Sequence, residues 1–247
     1  MKKYLAGFLT GIVWICVSAP SVHAVAIYEA TASVEFTLQN VVDASGNTVS
    51  DGWTVWTESE VFWEEVDTFG AASAAITSVT PSPVDWGIGD SIFASTGVSG
   101  SASNGDAFSF VVATLDILVD NDSGQPLTFT FGYEALTDLE VSGPADSDGG
   151  AYAYLDFVDD AGLLDVVVET EVDLFFGPLS ARDRESGSFS FTLEGGEYND
   201  IYAEIEAEGG VCCGTVPEPS ILALLSLGLI GVGCLRARQA LAGPTPG

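Results

Sequence analysis

Between residues 25 and 210 apolar side chains recur at every second position, in runs bounded by clusters of Gly, Asp, Asn, Ser and Pro. Alternation with period two puts one row of side chains on each face of a strand, so these runs read as half-buried β-strands. The clearest are 31–42, 53–63, 107–119, 127–135, 151–158, 165–175, 188–193 and 201–207. Turn signals separate them, among them Ser45-Gly46-Asn47, Asn121-Asp122-Ser123-Gly124, Ser147-Asp148-Gly149-Gly150 and Glu194-Gly195-Gly196. No stretch of this span has sustained helical spacing. Short strands at such intervals predict an all-β domain over 25–210, an antiparallel β-sandwich of jelly-roll or immunoglobulin-like outline. The segment 71–103 is rich in Ala, Ser and Gly and holds Pro81 and Pro83, so it is expected to form long, weakly regular connections.

The faces follow from parity. Phe129, Phe131 and Tyr133 fall on one face with Leu127, and Ile201, Ala203, Ile205 and Ala207 on another single face. In 107–119 the apolar parity changes between Phe108, Phe110, Val112 and Leu115, Ile117, Val119. A β-bulge near Ala113 reconciles them, and so does a central strand buried on both faces. In 53–63, Trp53, Val55, Val61 and Trp63 share a parity expected to face the core, leaving Trp56, Glu58, Glu60 and Phe62 on the other face.

The two ends carry a different pattern. Lys2 and Lys3 precede an apolar stretch, 4–17, too short to span a bilayer, and Pro20 breaks it before Val22-His23-Ala24. This predicts a signal helix over 1–24, cleaved after Ala24. At the other end a linker, 211–219, contains Pro217-Glu218-Pro219 and leads into the apolar run 221–235 and then Arg236-Ala237-Arg238. Pro217 and Pro219 fix an extended entry that cannot be helix interior. The run over 220–238 predicts a single, short transmembrane helix whose flanking cations Arg236 and Arg238 stay cytoplasmic, with the domain outside. A tail, 239–247, follows.

The order Pro-Glu-Pro, short membrane helix, arginine cluster, at the extreme end of a chain with a signal peptide, resembles the PEP-CTERM sorting signal. The resemblance covers about 25 residues, from Val216 to about Ala240. It implies an exosortase as partner, recognising Pro217, Glu218 and Pro219 and processing the chain there. It also implies membrane anchoring before processing, a final place at the cell surface or in the extracellular matrix, and a link to exopolysaccharide and biofilm.

Charge sharpens this picture. The chain has 36 acidic and 6 basic residues, and all the acids lie between Glu29 and Glu218, where the only cations are Arg182 and Arg184. Thirty-six acids against two arginines leave that span at −34. Such a polyanion repels nucleic acid and anionic lipid, so no nucleic-acid partner is expected. The one histidine, His23, lies in the leader, so the mature chain has none for a catalytic triad or a histidine-ligated metal.

Glu204, Glu206 and Glu208 alternate and would stand in a row about 6.6 Å apart, and Glu169, Glu171 and Asp173 form a second such row. Like charges so placed repel, and a hard divalent cation would relieve them. Asp120 and Asp122 beside Gly124, and Asp146 and Asp148 beside Gly149, are the better Ca²⁺ candidates, although neither loop completes an EF-hand and Asp and Gly also dominate plain turns. Trp56, flanked by carboxylates, is a candidate sugar-stacking platform, the alternative being an indole packed under a loop. Cys212 and Cys213 are adjacent, giving a vicinal disulfide, an interchain bridge or two free thiols.

The reading that joins these features is an exported, non-enzymatic surface or matrix protein associated with exopolysaccharide. A calcium-dependent carbohydrate-binding adhesion module is the alternative. A glycoside hydrolase built on two carboxylates is the remote one, since none of the 36 acids stands out as a pair.

Overall fold

The computed structural model describes residues 25–212, apart from 82–84, 145–146, 161, 163 and 175–178. The leader with Ala24, the Pro217-Glu218-Pro219 motif, the apolar run with Arg236 and Arg238, and also Asp146 and Cys213, lie outside the described residues.

The described residues form eight strands and no helix. They are β1 (Ala26–Asp43), β2 (Trp53–Val79), β3 (Ser91–Asn121), β4 (Leu127–Ser142), β5 (Asp148–Asp159), β6 (Asp165–Asp173), β7 (Leu179–Leu193) and β8 (Tyr198–Cys212). All pair antiparallel in one sheet of order β6-β5-β8-β3-β1-β4-β7, with β2 added to β3. The all-β antiparallel expectation holds. The expected pair of separate sheets, jelly-roll or immunoglobulin-like, is corrected to one continuous sheet that bends back on itself, nearly closed like a barrel.

The reason is the length of β3, 31 residues. One side of it pairs with β2 from Val79↔Ser95 to Trp53↔Asn121. The other side pairs first with β1, from Thr37↔Ser91 to Ala26↔Ala102, and then with β8, from Asp106↔Cys212 to Asp120↔Tyr198. Two arms therefore grow from one strand: β8-β5-β6 and β1-β4-β7. Their inner faces meet, and Phe36 of β1 packs edge-on against Phe157 of β5 with ring centroids 5.3 Å apart. Tyr133 of β4 reaches the same Phe157 ring at 5.0 Å.

At the bend β3 carries one extra residue, Ser103: the register steps from Ala72↔Ala102 to Ala71↔Asn104. Buried positions accordingly switch from even (Ile92, Ala94, Val98, Ala102) to odd (Ala107, Val111, Leu115, Ile117). Gly70 and Gly105 face each other there, Gly70 at φ 73°, and a Cβ on Gly105 would strike the Phe69 carbonyl. The parity switch thus lies at Ser103, in the segment expected to be irregular connection. That segment instead supplies the end of β2 and the start of β3. Its small residues signal little strand propensity of their own, and pairing with β1 supplies what they lack.

Around Ala113 both readings of the parity change have a counterpart. Residues 111–115 are buried on both faces, and the bulge sits on the facing strand, where the register passes from Val61↔Ala113 to Trp63↔Val112 and Phe62 is the extra residue. That bulge corrects the expected core of 53–63. Val55 is buried and the half-buried Trp53 ring packs against Phe129 at 6.1 Å. Trp63, by contrast, is 56% exposed because Phe62 throws it onto the outer face, and Val61, still opposite Ala113, is 36% exposed.

Tyr28 ties the arms together. It stands opposite Gly100 on β3, its ring lies where Cβ atoms on Gly100 and on Gly209 of β8 would be, and its hydroxyl bonds Ser109 Oγ at 2.7 Å. Glycine on either side makes room for the ring, which covers the bare backbone in return. Gly209→Ala should therefore destabilise the domain by about 1–3 kcal/mol through overpacking. Its neighbour Gly210, on the outer face, has no contact closer than 3.4 Å waiting for a Cβ. Gly210→Ala should stay within about 0.5 kcal/mol of wild type in the same denaturant titration.

Candidate functional site

The outer face of the arm β3-β8-β5-β6, extended by the first part of β2, is where the sequence-predicted acidic rows meet. Alternation along β8 sends Ile201, Ala203, Ile205 and Ala207 inward and Glu204, Glu206 and Glu208 outward. The same rule sends Val166, Val168 and Val172 of β6 inward and Glu169, Glu171 and Asp173 outward. Between these strands lies β5, whose outward residues are Tyr152, Tyr154 and Asp156.

The register interleaves them. Tyr152 stands opposite Glu208 on one side and Glu171 on the other, and Tyr154 opposite Glu206 and Glu169. The two phenol rings are parallel, 6.3 Å apart at 10°. A tyrosine column thus separates two glutamate columns and supplies donors to them. Tyr152 donates to Glu169, and Tyr154 to Asp156. Burial, with Glu169 and Glu206 nearby, pushes the Tyr152 phenol up to about 12, so it stays a donor across the physiological range.

The carboxylates pay for the crowding. Burial first, then Glu208 and Glu204, raises the Glu206 carboxyl above its ordinary range. Burial and the charges of Glu58 and Glu60 do the same to Asp116, and burial with Asp116 and Asp160 to Asp200. Asp156 Oδ1 and Asp200 Oδ1 are buried atoms with no hydrogen-bond partner among the described residues. Among the described residues no cation relieves this face. Arg184 and Arg182 sit on the other arm, on β7, 2.7 Å from Glu134 and 3.8 Å from Asp138 of β4.

At one end of the face the columns open into a trough of about 730 Å³. Gly210 and Gly150 are directly paired and form its floor, between Phe108 of β3 and Asp173 of β6. Tyr152, Glu208 and Glu171 rise beside it, and Asp106, Cys212 and Asp148 close the next row. Since Gly210 tolerates a Cβ and has no positive φ, neither packing nor backbone geometry demands glycine there; its effect is to leave the floor empty.

The predicted site residues fall as follows. Trp56 is half-buried on this same outer face, opposite Leu118, with Glu58 and Asp116 paired in the next row. Asp148 is exposed on the trough rim. Asp120 lies at the far end of β3, opposite Tyr198, and Asp122 is exposed in the turn beyond, so the two candidate calcium loops sit at opposite ends of β8. The 121–125 turn is organised by Asn121: its Nδ2 donates to the Gln125 and Leu193 carbonyls at 2.7 and 2.8 Å, and its Oδ1 accepts from Ser123 N and Oγ. Among the described residues no three acidic, cysteine or histidine side chains group closely enough to hold an ion. Cys212 is half-buried and has no disulfide partner among the described residues. Sequence reasoning missed Tyr152, Tyr154 and Phe108; their outward parity was legible, but not the register that sets them between glutamates.

The other functional element is sequential. Residues 215–239 match the PEP-CTERM protein-sorting motif. The match spans Pro217, Glu218 and Pro219 and both flanking arginines, and it marks the chain as an exported protein sorted to the cell surface and processed by an exosortase. No curated protein matches the chain.

Stability should carry the imprint of the crowded face. A carboxyl raised in the folded state favours folding while protonated; its contribution is full below the unfolded value and is lost as pH rises through the folded one. Three such groups, Glu206, Asp116 and Asp200, face one way. Asp43, lowered by its bonds to Asn47, works oppositely and loses its contribution as pH falls below the ordinary range. The melting temperature at fixed ionic strength should therefore fall as pH rises from about 4.5 to about 7, and Glu206→Gln should flatten that fall. A flat or rising profile in wild type would contradict the electrostatics described here.

Proposed function

We propose that this is a non-enzymatic protein of the cell surface or extracellular matrix that binds exopolysaccharide on its acidic, aromatic outer face. The sorting motif supports the place of action. The observation that carries the glycan reading is the pairing of ring faces with carboxylates around an empty, glycine-floored trough. A sugar ring offers an apolar C–H face for Phe108 or Tyr152 and hydroxyl donors for Glu208, Glu171 and Asp173. The charge of the face selects among glycans: acidic polymers are repelled, while neutral and amino-bearing ones are accepted.

Affinity electrophoresis of the exported protein, against the exopolysaccharide of the producing cells and against chitosan and alginate as cationic and acidic probes, tests the reading. Retardation by the native polymer and by chitosan but not by alginate is expected. Phe108→Ala or Tyr152→Ala should weaken it about three- to tenfold, the worth of one stacking contact, and Gly210→Leu should abolish it by filling the floor. Retardation by alginate alone, or variants that bind like wild type, would overturn the reading. New reducing ends in the polymer would replace it with a hydrolase.

A further inference from the structure

We infer that the second part of β2 is a self-association edge, on which a second copy of this chain pairs antiparallel through the same strand. β2 is 27 residues long and bonds to β3 along one side only. On its other side the first part is covered by the following loop, where Trp86 N donates to the Val55 carbonyl and Ser59 Oγ to the Pro81 carbonyl. From Glu60 to Val79 that side has no backbone partner among the described residues.

Open edges are normally guarded by charge, proline or a bulge. The other two edge strands of this sheet follow the rule. β6 carries Asp165, Glu169, Glu171 and Asp173, and β7 carries Arg182, Asp183, Arg184 and Glu185. Residues 68–79 of β2 hold no charged side chain and no proline, and the bend at Gly70, at φ 73°, falls near one end of the strip. In a domain whose acids outnumber its cations 36 to two between Glu29 and Glu218, this strip is a place where two copies can meet without opposing carboxylates.

The strip is also self-complementary. In a twofold pairing centred on Ala74, Phe69 of one copy faces Val79 of the other, and these are among the most exposed large apolar residues, at 74% and 52%. Ala71 faces Thr77, Ala72 faces Ile76 and Ser73 faces Ala75, so small and β-branched side chains meet throughout. Asp67, the nearest acid, falls opposite Pro81, which ends the pairing. One strand pair of such small side chains lies at the low end of interface sizes, so the dimer is reversible. Its signature is a reversed salt dependence: screening the mutual repulsion of the two polyanions strengthens it, where an ion-paired interface would weaken.

Sedimentation velocity of the full chain, purified before processing in mild detergent, reads this directly. Wild type should shift from monomer toward dimer as salt rises, and Ala75→Glu, an exposed position on the outer face, should raise the dimer dissociation constant at least about tenfold with an unchanged circular dichroism spectrum. Ser45→Glu, which adds the same charge in the β1–β2 turn, should behave as wild type. A monomer at every salt concentration, a dimer indifferent to Ala75→Glu, or open-ended assembly beyond the dimer would each overturn the inference.

Discussion

One strand holds the architecture together. Because β3 is bonded to β2 along one side and to β1 and then β8 along the other, neither arm can form its full ladder without it. The single inserted residue at Ser103 lets the strand turn the corner and keep its apolar side inward in both halves. Everything inside follows from that continuity: Tyr28 reaching from β1 past Gly209 of β8, Phe36 of β1 against Phe157 of β5, and the Thr137–Thr170 hydroxyl pair, 2.5 Å, between β4 and β6. With most contacts made between residues far apart in sequence, such a chain folds slowly relative to a helical protein of equal size.

The second constraint is charge. Only two arginines accompany 36 acids between Glu29 and Glu218, and both are spent in exposed cross-strand pairs on β4 and β7, worth little to stability. The domain therefore rests on its ladder and its apolar interior, and alternation exports the acids to the outer faces. On the β8-β5-β6 face they are too dense to be indifferent to one another. Tyrosines set between them space the columns and donate hydrogen bonds, which leaves a surface of carboxylate acceptors and ring faces rather than bare charge.

Much of this was legible in the chain because period-two alternation is a local signal. The strands around Phe129, Ile201 and Leu155 could be read residue by residue, and so could the outward rows Glu204-Glu206-Glu208 and Glu169-Glu171-Asp173. What stayed hidden depends on partners. The Ala/Ser/Gly residues 71–79 and 91–103 become strand only because β1 and β2 pair with β3, and Trp63 is outward only because Phe62 is a bulge between the Val61–Ala113 and Trp63–Val112 pairs. The trough, too, is a matter of register: Gly150 and Gly210 are unremarkable in sequence until β5 and β8 place them side by side. The aspartates of the 120–124 turn illustrate the converse, since it is the amide of Asn121 between them that holds the turn.

Fold and tail together describe a polyanionic β domain in an exported protein that is sorted to the cell surface. The sorting motif at 215–239 provides the address, and the outer face provides the chemistry available there. Intact-mass measurement of the protein recovered from the cell surface and from the medium tests this account most directly. It predicts a chain that begins at Val25 and ends within the sorting motif, near Pro219, having lost the apolar run and the arginines. A surface form that retains residues 221–247 in full would contradict it, leaving an ectodomain held by an ordinary membrane anchor.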